Sequence, residues 1–157
     1  MRKIIYPGSL YIPMILTSIL TAILLWTAGC TAGTTYTLVT IADARSRPAQ
    51  VIDVGDAGDS PGDLLVFDQP LLNTDMQEIG TNSGICTRTR PAHSFQCQWT
   101  LTLGNGTITV AGREFDTGTS LISIIGGTGD YAGISGVMES TNNNDGTFTQ
   151  TLRYKQK

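Results

Sequence analysis

From Ser94 to Leu103 the chain alternates without a slip: Phe95, Cys97, Trp99, Leu101 and Leu103 are apolar, while Ser94, Gln96, Gln98, Thr100 and Thr102 are polar. A period of two puts one set on each face of an extended strand, whereas residues two apart on a helix do not share a face. The segment therefore folds as a strand with one buried side. Residues 84–90 read as its partner, joined through Pro91-Ala92 as a two-residue connection. Pairing Arg90 with His93 sets an antiparallel register that continues as Arg88 with Phe95 and Cys86 with Cys97. The two sulfurs then lie opposite each other on one face, and a cross-strand disulfide follows. Closing so short a loop contributes about 3 kcal/mol by restricting the unfolded chain. A reactive thiol pair is the other reading, but the site lacks the basic helix-terminus setting that lowers a thiol pKa.

The pattern continues as a meander. Gly104-Asn105-Gly106 supplies a turn, and residues 107–115 alternate again through Ile108 and Val110. Further strands are expected at 36–43, 50–54, 64–71, 120–125, 133–140 and 147–154, with Gly, Asn, Asp or Pro in the turns between them. Both faces of 120–125 carry apolar side chains, so its buried phase is ambiguous. No stretch after Cys30 shows capped 3.6-residue periodicity. The 18 Gly and 23 Thr among 157 residues suit turns and half-buried strand faces. Eight or nine short strands at this spacing predict an all-β domain, a sandwich or a closed barrel, and the barrel removes exposed edges.

The N-terminus has a different character. Arg2 and Lys3 are followed by no charge until Asp43, and residues 10–26 are almost wholly apolar. This reads as an export signal over 1–29, leaving one domain over 30–157. Ala28-Gly29-Cys30 resembles a lipoprotein processing site, with Cys30 as the lipidated residue, although Thr27 stands where such sites usually carry leucine. An ordinary cleaved signal and an uncleaved membrane anchor are the alternatives. All three predict an exported domain, secreted or held at the cell envelope by lipid or anchor. Removing 1–29 takes two of the ten positive charges and none of the thirteen negative ones, leaving a net charge of −5. Such a chain offers no basic field to a nucleic acid.

Four motifs in order carry a family resemblance: Gly62-Asp63-Leu64-Leu65-Val66-Phe67; Gly80-Thr81 with Gly84-Ile85-Cys86; Thr107 through Gly112; and Ile124-Ile125-Gly126-Gly127-Thr128-Gly129 through Gly133 and Gly136. From about Asp53 to Tyr154 the chain resembles the allene oxide cyclase and dirigent superfamily. The resemblance implies an eight-stranded antiparallel β-barrel with an apolar cavity, acting on a hydrophobic small molecule without a cofactor. It leaves open whether the chain forms a homo-oligomer. In allene oxide cyclases a glutamate near the second strand assists epoxide opening, and an asparagine two positions later helps hold a water. Val51 falls at the first position and Asp53 at the second, so the resemblance makes Asp53 the candidate catalytic carboxylate. The family's cavity cysteine falls on Cys86.

The inner face is expected to line the cavity with Phe67, Arg88, Phe95, Trp99, Leu101, Ile108, Val110, Gln150 and Tyr154, with Arg88 either at the barrel mouth or pointing inward as an anion contact. Trp99 offers a ring for a polyene or aromatic ligand, and Gln150 is a lone amide on an apolar phase. A single histidine, His93, excludes a multi-histidine metal site. The acidic run Asp53, Asp56, Asp59 and Asp63 misses the spacing of a calcium loop, so no metal is expected. Three functions fit these features. One is a cyclase that folds a conjugated, polyketide-type substrate and promotes ring closure, [4+2] cycloaddition included, mainly by conformational restriction. The others are a dirigent-like or ligand-binding module without turnover, and an envelope lipoprotein whose barrel is filled solid.

Overall fold

The structure, a computed structural model, describes residues 33–156. The expectations for the export signal and for Cys30 lie outside those residues. Nine strands run in chain order: β1 (Thr35–Asp43), β2 (Gln50–Ile52), β3 (Leu64–Leu72), β4 (Glu78–Arg90), β5 (Ser94–Leu103), β6 (Gly106–Phe115), β7 (Thr119–Gly127), β8 (Ser135–Asn142) and β9 (Thr147–Lys155). A 3₁₀ turn at Gly129–Tyr131 joins β7 to β8.

Consecutive strands from β3 to β9 pair antiparallel, and β1 returns to pair with β9 along its whole length. Ile41 and Ala42 of β1 then pair with Leu72 and Leu71 of β3, which closes an eight-stranded barrel. The short β2 is an additional strand against the start of β3. Closure leaves the barrel no long free edge and encloses the inner phase of its eight strands, while β2 stays exposed.

The predicted hairpin register holds where it matters. Cys86 pairs with Cys97 and Arg88 with Phe95, and the two cysteines form a disulfide with Cα atoms 4.0 Å apart. The tip differs from the expectation. A bulge between Arg88 and Arg90 pairs Arg90 with Ser94 rather than His93, so the connection is three residues long, with Ala92 at φ 50°. An extra residue in one strand is absorbed locally by such a bulge and leaves the inner register untouched. The ambiguous strand β7 turns Ser120, Ile122 and Ile124 inward, while Leu121 and Ile125 stay exposed on the outer face.

Candidate functional site

The barrel interior divides along its length. One half is packed solid by Leu101, Ile108, Val110, Ile122, Met138 and Leu152, each at most 1% exposed. The other half contains a cavity of about 260 Å³. Its walls come from β1, β3, β4, β5, β6, β8 and β9 and from the segment between β1 and β2. Ala42, Ala44 and Ala49 leave the space open. Leu65, Phe67, Trp99, Phe148 and the Cys86–Cys97 disulfide supply the apolar surface. Phe67 meets Trp99 edge-on, with ring centroids 6.3 Å apart. Gly84 faces Trp99 across the β4–β5 ladder, where any Cβ would strike the tryptophan's own Cβ, so glycine is required for this pairing.

A polar belt separates the halves. Thr40 Oγ1 donates to Gln150 Oε1 at 3.1 Å, and Gln150 Nε2 donates to Asn82 Oδ1 at 3.4 Å. The register sets Asn82 opposite both Gln69 and Leu101, and Gln150 opposite both Thr40 and Ser140. These buried amides satisfy one another while leaving edges toward the cavity.

One acidic side chain lines the cavity, and it is Glu114 on β6. Ser140 Oγ donates to its Oε1 at 2.9 Å, whereas Oε2 is buried without a protein partner. Burial pushes the Glu114 carboxyl up to about 7, partly opposed by the hydrogen bond from Ser140 and by the nearby hydroxyl of Ser120. Trp99 Nε1 is likewise buried and unpartnered. An unpartnered donor and an unpartnered acceptor thus both belong to residues of a largely apolar wall, with the acid poised to exchange a proton near neutral pH.

The expected site residues separate accordingly. Phe67, Trp99 and Gln150 line the cavity. Leu101, Ile108 and Val110 point inward but belong to the filled half. Tyr154 stacks on Tyr36 and meets Tyr131 edge-on, away from the cavity. Arg88 stands on the inner phase yet is taken up elsewhere. Its guanidinium pairs with Asp59 and Asp116, each at 2.6 Å, and lies 3.6 Å above the Phe95 ring. Neither Arg88 nor Phe95 lines the cavity.

Asp53 is not part of this site either. β2 ends at Ile52, and the exposed Asp53 turns back on its own loop to accept the Gly58 N–H at 3.1 Å. Val51, at the family's glutamate position, is 71% exposed. Two other carboxylates of the acidic run have structural partners: Asp63 accepts the N–H groups of Val54 and Ser60, and Asp59 accepts that of Ala92 beside its pair with Arg88. No group of three ligating side chains is gathered for a metal among the described residues. Glu114 escaped the sequence reading although a signal was present. Ile108, Val110, Gly112 and Glu114 share one phase of β6, which makes it a lone carboxylate on a buried face.

Comparison with known proteins agrees with this architecture. The family model described as dirigent-like protein matches residues 21–156. No curated protein matches the chain. Among solved structures, a pyocyanin demethylase is 25% identical with a TM-score of 0.65, covering 78% of this chain and 100% of its own. A pterocarpan synthase dirigent protein is 16% identical with a TM-score of 0.63, covering 80% and 90%. The Diels–Alderase AbmU from Streptomyces koyangensis is 14% identical with a TM-score of 0.62, covering 82% and 71%. The last two likenesses concern the fold alone.

Proposed function

The chain belongs to the dirigent-like protein family, and on that premise we propose that it is a small-molecule cyclase. It folds a hydrophobic, conjugated substrate inside the open half of the barrel and promotes ring closure without a cofactor. The observation that carries this reading is Glu114, the one carboxyl among the described residues that line an apolar cavity of about 260 Å³, whose buried Oε2 has no protein partner. The walls restrict the substrate to compact, near-reactive conformers, which lowers the entropic part of the barrier. Glu114, protonated below about pH 7, donates a hydrogen bond or proton to an oxygen that gains charge as the ring closes, and recovers it afterwards. Trp99, Phe67 and Phe148 give the conjugated system ring surfaces to pack against. The dirigent and Diels–Alderase structures of the same fold support a role of this kind.

A binding module without turnover is the second reading, and the wall composition favours it: among the described residues Glu114 is the only titratable group lining the cavity. The two separate by experiment. The purified full-length chain is incubated with conjugated, ring-closable substrates, and product formation is followed beside Trp99 fluorescence in a Trp26→Phe background. A cyclase gives enzyme-dependent product that Glu114→Gln lowers about 100-fold or more while binding persists. Quenching of Trp99 without product identifies the binding module, and neither signal rejects both. We further propose that the domain works outside the cytoplasm, held by lipid on Cys30. Mass spectrometry of the N-terminal peptide from membrane fractions tests this, and an unmodified Cys30 rejects it.

A further inference from the structure

The cavity contains one charge and no counter-charge. No arginine, lysine or histidine lines it among the described residues, and Glu114 Oε2 has no protein partner. Arg88, the positively charged side chain on the inner phase of β4, is held by Asp59 and Asp116 and stacked on Phe95. The polar belt supplies only neutral groups, and Thr40, Asn82 and Gln150 are engaged with one another. Resting on the small-molecule reading above, we propose that this cavity is charge-selective: it takes flat ligands of about two fused rings that are cationic or neutral, with the positive edge at Glu114, and rejects carboxylates.

Three features of the cavity favour this selectivity. A buried carboxylate without a partner is costly, and a ligand cation removes that cost while a ligand anion adds like-charge repulsion in a low dielectric. Phe67, Trp99 and Phe148 present ring surfaces to the same space, and aromatic faces attract delocalised cations. Size sets the third limit. A cavity of roughly 150 Å³ accepts one benzene ring, so about 260 Å³ corresponds to two fused rings rather than an extended chain.

Selectivity also acquires a pH dependence. The groups facing Glu114 are Phe95 from β5, Ser120 from β7 and Ser140 from β8, with Cys97 opposite Gly112 in the same wall and Arg88 of β4 beyond Phe95 and already paired. The cysteines are in the disulfide. Glu114 is therefore the titrating group, ionised above about pH 7. Cation affinity rises about tenfold from pH 6 to pH 8 as the ionised fraction grows.

The test is calorimetric titration of the full chain with quinoline, N-methylquinolinium and quinoline-4-carboxylate, which share one ring system and keep their charges over this range. At pH 8 the expected order is N-methylquinolinium tighter than quinoline by about tenfold or more, with the carboxylate weakest. The cation's advantage shrinks about tenfold at pH 6 and disappears in Glu114→Gln, which still binds quinoline. The wild-type series decides the matter even if that variant folds poorly. Equal affinities for the three probes, or tightest binding of the carboxylate, overturn charge selectivity while leaving the cavity a binding site. Binding of none of them overturns the binding site, and the selectivity with it.

Discussion

The two halves of one barrel interior use the same strands and the same alternating phase, yet only one encloses space. In the filled half, Leu101, Ile108, Met138 and Leu152 are fully buried in the hydrophobic core cluster. In the open half, Ala42, Ala44 and Ala49 stand where a branched side chain would complete the packing, and Glu114 occupies an inward position of β6. The filled half gives the fold its stability; the open half gives up packing and accommodates a buried acid. The difference shows that a ligand site in a small barrel can be made by substituting a few inward residues, without changing the topology.

The largest test of this contrast is a pair of truncations. Leu152→Ala opens a void in the filled half and is expected to cost about 2–5 kcal/mol, whereas Leu65→Ala, on the wall of a space that already exists, costs about half that or less. Denaturant midpoints measure both, and equal losses would show that the two halves are packed alike. The disulfide comes next, since Cys86 and Cys97 join neighbouring strands in the wall of the open half. Reduction, or Cys86→Ser with Cys97→Ser, is expected to lower stability by about 3 kcal/mol. An unchanged melting curve under reductant would contradict its structural role.

A similar magnitude is expected from pH. The folded chain holds a proton on Glu114 up to about 7, while an unfolded chain releases it near the ordinary 4.5. The stability from this raised pKa is full below about pH 4.5 and is lost as the pH rises through 7, a change of about 3 kcal/mol. Glu114→Gln removes it, so the stability curves of variant and wild type should differ in slope between pH 5 and 8. Parallel curves would show that Glu114 is solvated. A smaller effect on stability accompanies Ala42→Leu, which fills the open half: a change within about 1 kcal/mol, but at least a tenfold loss of ligand affinity. Asp53→Asn closes the series with no change in binding or turnover, and any loss would return Asp53 to the site.

Much of the fold was legible because strand signals are local. The period of two in β5 identified its buried face, and the expected Cys86–Cys97 and Arg88–Phe95 pairs form although the Arg90–His93 pair from which they were counted does not, because a bulge absorbs the difference at the tip. The site was legible only in part. Phe67, Trp99 and Gln150 were visible as inward residues, but so were Leu101, Ile108 and Val110, and nothing in their own strand separates the two groups. Asp53 drew attention through a family position, whereas the loop after β2 turns it onto the Gly58 N–H. Glu114 was readable as a carboxylate on an apolar phase, but its environment was not. Ser120 and Ser140 come from β7 and β8, and their contact with Glu114 depends on how the barrel folds back.

By itself, then, the sequence determined that the chain makes antiparallel strands, which side chains each turns inward, and where one disulfide joins two of them. Those properties depend on spacing along the chain, and backbone pleating converts spacing directly into direction. Only the tertiary structure decided which inward side chains meet across the barrel, and hence which half fills and which stays open. Free volume is set by the sum of side chains contributed from strands as distant as β1, β6 and β9. Closure alone brings Ala42, Glu114 and Phe148 around one cavity and withdraws Glu114 from water, where burial raises its pKa.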